Sequence, residues 1–289
     1  MEYFLHILVI TGIYMILTLS LNLVLGYTGL ANLGHAAFSC VGAYASSLLA
    51  LNYGVPPWIG LLVGACTAAV LGVVVAAPSL RMKGDYLALA TFGLGVIVYS
   101  VAKNWVGLTR GPMGLPGIPG FSLFGLQLSA VWSYLLLVTL FVALTFFVIR
   151  RVVTSPFGRI LRGIREDETA ALAMGKNVNR YKIIVFVVGA FFAGIAGSLY
   201  AHYITFIDPS SFTLMESITI LLMVVFGGMG SLAGSFVGAS VLVILPELLR
   251  FLGMPSSVAA PLRQMIYGLL LVILMLARPQ GILGKYRWQ

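Results

Sequence analysis

Charge is what this sequence has least of. Of its 289 residues only 9% are Asp, Glu, Lys or Arg, against 60% hydrophobic, and the mean hydropathy is +1.05. A soluble domain carries about 25% charged residues, so a water-facing globular fold is excluded. Acids are scarcer than bases, 8 against 17, which leaves a net charge of +9. In so apolar a chain that excess is no nucleic-acid signal; it is what the positive-inside rule leaves in loops. Cysteine is nearly absent: Cys40 and Cys66 both lie in apolar segments, so neither a disulfide framework nor a metal site is indicated. The three histidines, His6, His35 and His202, form no His-Glu-x-x-His motif, and no P-loop lysine signature occurs. No cofactor and no enzymatic role are expected. Ser231 with His35 or His202 would be needed for an intramembrane serine hydrolase, and nothing in the sequence brings them together. No cleavable signal is visible either, because the first segment starts at Glu2 without a basic n-region.

What is present is span after span. The length has room for about nine segments of ~20 residues with short connections. The apolar runs predict them at residues 4–25, 39–50, 58–80, 86–105, 130–149, 183–204, 214–226, 236–249 and 262–277, the eighth interrupted by Pro246. The fold class is therefore all-α, a polytopic membrane protein whose residues 1–289 form one transmembrane domain. Residues 106–129 are a Gly/Pro-rich excursion of weak polarity, expected to pack on the protein surface or on a partner. Thr18, Ser20 and Asn22 in the first span indicate a face turned to protein rather than lipid. Gly189, Gly194 and Gly197 mark a sixth-span face built for close packing.

Two glycine-broken stretches interrupt this pattern. One covers residues 26–38 and contains Gly26, Gly29, Gly34 and His35; the other covers 227–234 and contains Gly227, Gly228 and Gly230. Irregular backbone at membrane depth is tolerated only where protein or a water-filled cavity covers it. Broken segments early in each half predict a translocation path and an inverted internal repeat. His35 reads as a hydrogen-bonded polar residue of the break rather than a base. Asp85, Glu216 and Glu247 sit near expected span ends, where an interfacial role outweighs an ion relay.

The one long polar segment is residues 150–182, which hold Arg150, Arg151, Arg159, Arg162, Arg165, Lys176, Arg180 and Lys182, with Glu166, Asp167 and Glu168. A helix is predicted over 156–174. Ser155 caps it, Pro156 suits its first turn and Gly175 ends it. Phe157, Ile160, Leu161, Ile164, Ala171 and Leu172 recur as one apolar stripe. Two readings stand: a basic helix lying on membrane lipid, or a docking helix for a soluble partner, favoured by the acids and the small-residue run Thr169–Gly175. If this loop is cytosolic, only Lys103, Arg110, Arg250 and Arg263 of the 17 bases fall outside. That bias places the N-terminus outside and the C-terminus inside.

Without an ATP-binding motif, such a chain is the permease of a multi-subunit ATP-driven transporter or a self-sufficient secondary carrier. Four segments bear on the choice. Residues 26–38 (Gly-Tyr-Thr-Gly-Leu-Ala-Asn-Leu-Gly-His-Ala-Ala-Phe), 155–175 with Arg180-Tyr-Lys182, 222–231 and 278–283 closely resemble the branched-chain amino acid ABC permeases of LivH/LivM type, and together are more similar to LivM. Many ABC importers carry Glu-Ala-Ala-x-x-x-Gly in this loop; Ala170, Ala171 and Gly175 match it, while Thr169 stands at the glutamate position and Glu168 one residue early. LivM relatives often have an additional N-terminal span not present here, which agrees with an outward N-terminus. The resemblance implies a multi-pass protein of a bacterial or archaeal inner membrane, working by alternating access. Its partners would be a LivH-like companion permease, two ATP-binding subunits and a periplasmic or lipid-anchored substrate-binding protein. It implies a coupling loop at 152–181, with Arg162, Arg165, Glu168, Ala170, Ala171 and Gly175 facing the ATPase. Substrates in the family are branched-chain amino acids, with related amino acids, amides or urea as alternatives.

Overall fold

The computed structural model describes residues 2–79, 85–123, 126–127, 130–251, 265–266, 268–270, 272–273 and 280–284. The helices run α1 (Glu2–Leu21), α2 (His35–Tyr53), α3 (Pro57–Ser79), α4 (Asp85–Asn104), a short α5 (Val106–Thr109) and α6 (Val131–Thr154). They continue as α7 (Pro156–Glu166), α8 (Glu168–Ala173), α9 (Val178–Ile204), α10 (Leu214–Gly227) and α11 (Leu232–Phe251). Among the described residues, six helical segments are long and apolar enough to cross a membrane, while α11 contributes a shorter apolar stretch over Leu232–Glu247. The expected ninth span, residues 262–277, lies mostly outside the described residues, as do the loops at 80–84 and 252–264.

Several expected boundaries move. α1 does not run on as an α-helix to residue 25: from Asn22 to Gly26 it widens into a π-helical turn. The first break is only 27–34, because residues 35–38 already begin α2. α11 starts at Leu232 and continues through Pro246, so the second break shrinks to 228–231 and the proline does not interrupt the helix. The expected single helix over 156–174 is two, α7 and α8, broken at Asp167. That residue's extended backbone (φ −152°, ψ 105°) turns the chain and makes it the N-cap of α8.

α1 and α9 form the centre. In their most apolar windows 72% and 67% of residues are buried, against 17% in α4, most of whose surface this chain leaves uncovered. α2, α3 and α9 meet backbone to backbone. A Cβ on Gly64 would lie 2.6 Å from the Gly42 carbonyl, and one on Gly194 would lie 2.9 Å from the Gly64 carbonyl, so no larger residue fits. Small residues permit such approach, and dispersion contacts then hold the helices without hydrophobic driving force from lipid. Ser198 adds a 3.1 Å hydrogen bond to the Gly42 carbonyl.

The Gly/Pro-rich excursion packs on its own protein. Leu115 and Pro116 pair antiparallel with Ile207 and Phe206. Leu115, Ile118 and Phe121 are buried. The Trp58 indole N–H donates to the Ser122 carbonyl at 2.7 Å.

Candidate functional site

The two breaks meet. Asn22, the first residue of the π-helical turn, is fully buried and spends its whole amide on the second break and the first turn of α11. Its Oδ1 accepts from the Gly230 N–H at 2.9 Å, and its Nδ2 donates to the Ser231 carbonyl (2.8 Å) and the Ser235 hydroxyl (2.7 Å). Widened π turns recur at functional sites because they leave backbone groups free for other partners. Gly26 ends the turn, where an added Cβ would collide with the Asn22 side-chain oxygen and stand 2.6 Å from the Gly230 nitrogen.

The second break is held from the far end of the chain as well. Gly228 has φ +114°, which side-chain-bearing residues rarely adopt. Its neighbours Phe226 and Gly227 accept from the Ile282 and Leu283 N–H groups, each at 3.0 Å. The closing motif seen in the sequence thus lies against the Gly-Gly-Met-Gly turn.

His35 is a pin between elements. The Ser20 hydroxyl donates to the Leu17 carbonyl (2.8 Å), so it can only accept from His35 Nε2, also at 2.8 Å. The imidazole proton therefore resides on Nε2, and Nδ1 faces the Asn32 amide at 3.4 Å. Asn32 in turn takes the Gly34 N–H (2.9 Å), and the Leu33 N–H reaches the Thr91 hydroxyl (3.0 Å). Neither His35 nor His202, whose Nδ1 lies 2.7 Å from the Pro119 carbonyl, has a described hydrogen bond to Ser231.

The polar loop reaches this centre. Arg165 of α7 donates to the Gly26 carbonyl, and its Cγ stands 3.1 Å from where a Cβ of Gly29 would be. Arg162 ties α7 to α6, donating to the Val153 (3.1 Å) and Gly158 (3.4 Å) carbonyls. Ser155 caps α7 through the Gly158 N–H at 3.4 Å. Asp167 caps α8 through the Thr169 and Ala170 N–H groups. Hydrogen bonds, first that of the Thr169 hydroxyl, hold the exposed Asp167 carboxyl below its ordinary pKa. Gly175 ends α8 at φ +73°.

The stripe divides differently from expectation. Leu161, Ile164 and Ala171 are buried, and Ala171 packs with Ile164 and Val178 inside the chain. Leu172, expected on that stripe, is instead 53% exposed and Met174 68%, and Thr169, Ala170 and Ala173 are exposed beside them. Glu168 is not an isolated rim charge: its carboxylate meets the buried Lys182 ammonium at 2.7 Å.

Two residues outside the sequence-level site belong to it. Asn22 was legible only as a polar residue in a span, although an amide amid apolar residues at membrane depth signals a partner. Glu216, near a span end, lines a chamber beside α1 and α2, and its carboxylate accepts from the Tyr14 hydroxyl.

The family described as "Branched-chain amino acid transport system / permease component" matches residues 3–275. The high-affinity branched-chain amino acid transport system permease protein LivM of Escherichia coli (strain K12) is 38% identical over 303 residues, covering 97% of this chain and 70% of that protein. The probable LivM of Methanocaldococcus jannaschii is 29% identical, covering 95% of this chain and 91% of its own. LivH of Escherichia coli (strain K12) is 25% identical, with 94% and 91% covered. The chain thus belongs to the branched-chain amino acid transport permeases, as a multi-pass membrane permease subunit and not a catalytic ATPase.

Proposed function

We propose that this subunit is half of the membrane core of an ATP-driven importer of branched-chain amino acids. It pairs with a LivH-like permease, stands on two ATP-binding subunits and receives substrate from a binding protein outside. Nine segments cross or enter the membrane with the N-terminus outside, and the breaks after α1 and after α10 are the corresponding positions of an inverted repeat. The loop over 152–181 is cytosolic and couples ATP binding to the path.

The observation that carries this reading is the contact of Arg165 with the Gly26 carbonyl. It connects the loop helix to the π-helical turn, and the turn holds the second break through Asn22. A push on α7 and α8 therefore bears on both breaks at once. The exposed face of α8, with Leu172 and Met174, supplies small and apolar surface for the ATPase.

The test is a pair of variants in the assembled complex. Leu172→Arg puts a cation on the exposed face and should release the ATPase subunits on purification and abolish ATP-driven leucine uptake. Ala171→Arg forces a long side chain into the packing of Ile164 and Val178. Overpacking a filled site costs about 1–3 kcal/mol or more, so this change should lower the yield of the permease itself. Uptake by Leu172→Arg that remains normal, or wild-type uptake that follows an ion gradient without ATP, overturns the proposal.

A further inference from the structure

The helices that enter and leave the polar loop, α6 and α9, touch only lightly. α6 packs on α1, where Val138 lies against Gly12, and α9 packs on α3 through Gly194 and Gly64. At one end α6 is tied to α9 by the Tyr134 hydroxyl, which donates to the Leu199 carbonyl at 3.0 Å. At the other, the Phe157 ring of α7 lies 5.1 Å from the Tyr181 ring of α9. Between these ties is a groove of about 580 Å³ walled by α3, α6 and α9. Every residue lining it is apolar, Leu62, Phe141, Leu144, Val188 and Phe191 among them. Trp58, in the first turn of α3, is no exception, because its indole N–H is spent on the Ser122 carbonyl. So apolar a groove holds no water. Membrane helices approach one another on small residues, and Ala69 is the one small residue here. The bulky walls keep a further helix at a distance, whereas a flexible hydrocarbon chain fits between them.

The charge at the loop end of this groove follows from helical register, since positions three and four apart share a face. On α6, Phe141, Leu144 and Val148 lead to Arg151. On α9, Phe191, Val187 and the exposed Ile184 lead back to Arg180. At 1.5 Å per residue, Arg151 stands about 5 Å beyond Val148 and Arg180 about 11 Å beyond Val187. Both arginines are exposed. Neither α6 nor α9 contains an aspartate or glutamate. The ion pair of α9 joins Glu168 to the buried Lys182, and neither guanidinium shares in it. Basic positions between membrane helices at the end of an apolar groove are where acidic lipid headgroups bind. Guanidinium suits this role because its fork matches two oxygens of a phosphate.

We propose that this groove seats one acyl chain of an anionic phospholipid, whose phosphate bridges Arg151 and Arg180. The lipid clamps α6 to α9 at the mouth of the polar loop. Because Arg162 holds α7 to the Val153 carbonyl of α6, the clamp also sets the stance of the loop helices. The site requires only that the chain spans a membrane and is independent of the import function proposed above.

The test melts the purified complex, stripped of lipid in detergent, while following this subunit. The probes are dioleoylphosphatidylglycerol, dioleoylphosphatidylcholine, and glycerol 3-phosphate as the headgroup alone. Wild type should reach its half-maximal shift at about fivefold less phosphatidylglycerol than phosphatidylcholine, and glycerol 3-phosphate should give no shift. Arg151→Gln with Arg180→Gln should bring the two lipids within about twofold of each other. Arg159→Gln with Lys176→Gln removes the same charge from exposed positions elsewhere on the loop and should keep the wild-type preference. Ala69→Trp fills the groove and leaves both arginines, and should need about fivefold more phosphatidylglycerol for the same shift. If Ala69→Trp does not assemble, the two surface pairs decide the matter. Equal response of wild type to both lipids overturns the proposal, as does a preference undiminished in the Arg151 and Arg180 pair. A preference lost equally in the control pair shows diffuse attraction and no site. A full shift with glycerol 3-phosphate, or an unchanged lipid response in Ala69→Trp, removes the acyl seat.

Discussion

Asn22→Ala tests whether the two breaks act as one unit. The substitution removes three hydrogen bonds of 2.7–2.9 Å and leaves the Gly230 N–H without its acceptor. Side-chain hydrogen bonds between membrane helices average about 0.6 kcal/mol each, so three give about 2 kcal/mol. A buried N–H with no acceptor costs about 1–3 kcal/mol, which sets the upper end near 4. The void is not refilled, because Gly26 offers no side chain to fill it. An equilibrium between joined and separated breaks should therefore shift by about 30-fold or more, at 1.4 kcal/mol per tenfold. Ser235→Ala removes one of the three bonds and should shift it by no more than about threefold. The assay is leucine uptake per assembled complex, set beside the melting temperature of each variant. Leu19→Ala is the control: Leu19 is fully buried in α1, and its truncation costs about 2–5 kcal/mol without touching either break. Asn22→Ala should lose at least tenfold in uptake, whereas Leu19→Ala should melt as early or earlier and keep most of its uptake. Equal uptake per complex in the two variants would falsify the joined-break account, leaving Asn22 as an ordinary packing residue.

Three further outcomes are expected. Glu168→Gln leaves the buried Lys182 ammonium without its counter-charge; because Glu168 is itself 42% exposed, the loss should be about 1 kcal/mol, and Glu168→Gln with Lys182→Met should melt higher than Glu168→Gln alone. Gly228→Ala puts a side chain at φ +114° and against the backbone of Gly284, so uptake should vanish while the ATPase subunits still co-purify; uptake above half of wild type counts against a role for this turn. In a Cys66→Ser background, needed because Cys66 is exposed, Met113→Cys should react with a membrane-impermeant maleimide on intact cells and Lys176→Cys should not; the reverse pattern inverts the topology.

Six of the nine expected span positions and the glycines of the breaks were legible because they follow from composition along the chain: apolar runs of the right length, and glycine where helices stop. The depth of Ala171 and the exposure of Leu172 were not. A stripe at helical spacing assumes one continuous axis, and Asp167 starts a second helix with its own rotation, so residues in register across 156–174 no longer share a face. Long-range pairings were equally hidden: Asn22 and Gly230 are 208 positions apart, and nothing in either segment names the other. Lipid adds a further mask, since a lipid-facing leucine and a core leucine are equally apolar and the usual contrast between buried and exposed faces is lost. Glu216 is the instructive case. Its nearness to a span end was legible, whereas its hydrogen bond from the Tyr14 hydroxyl, 202 positions away, was not.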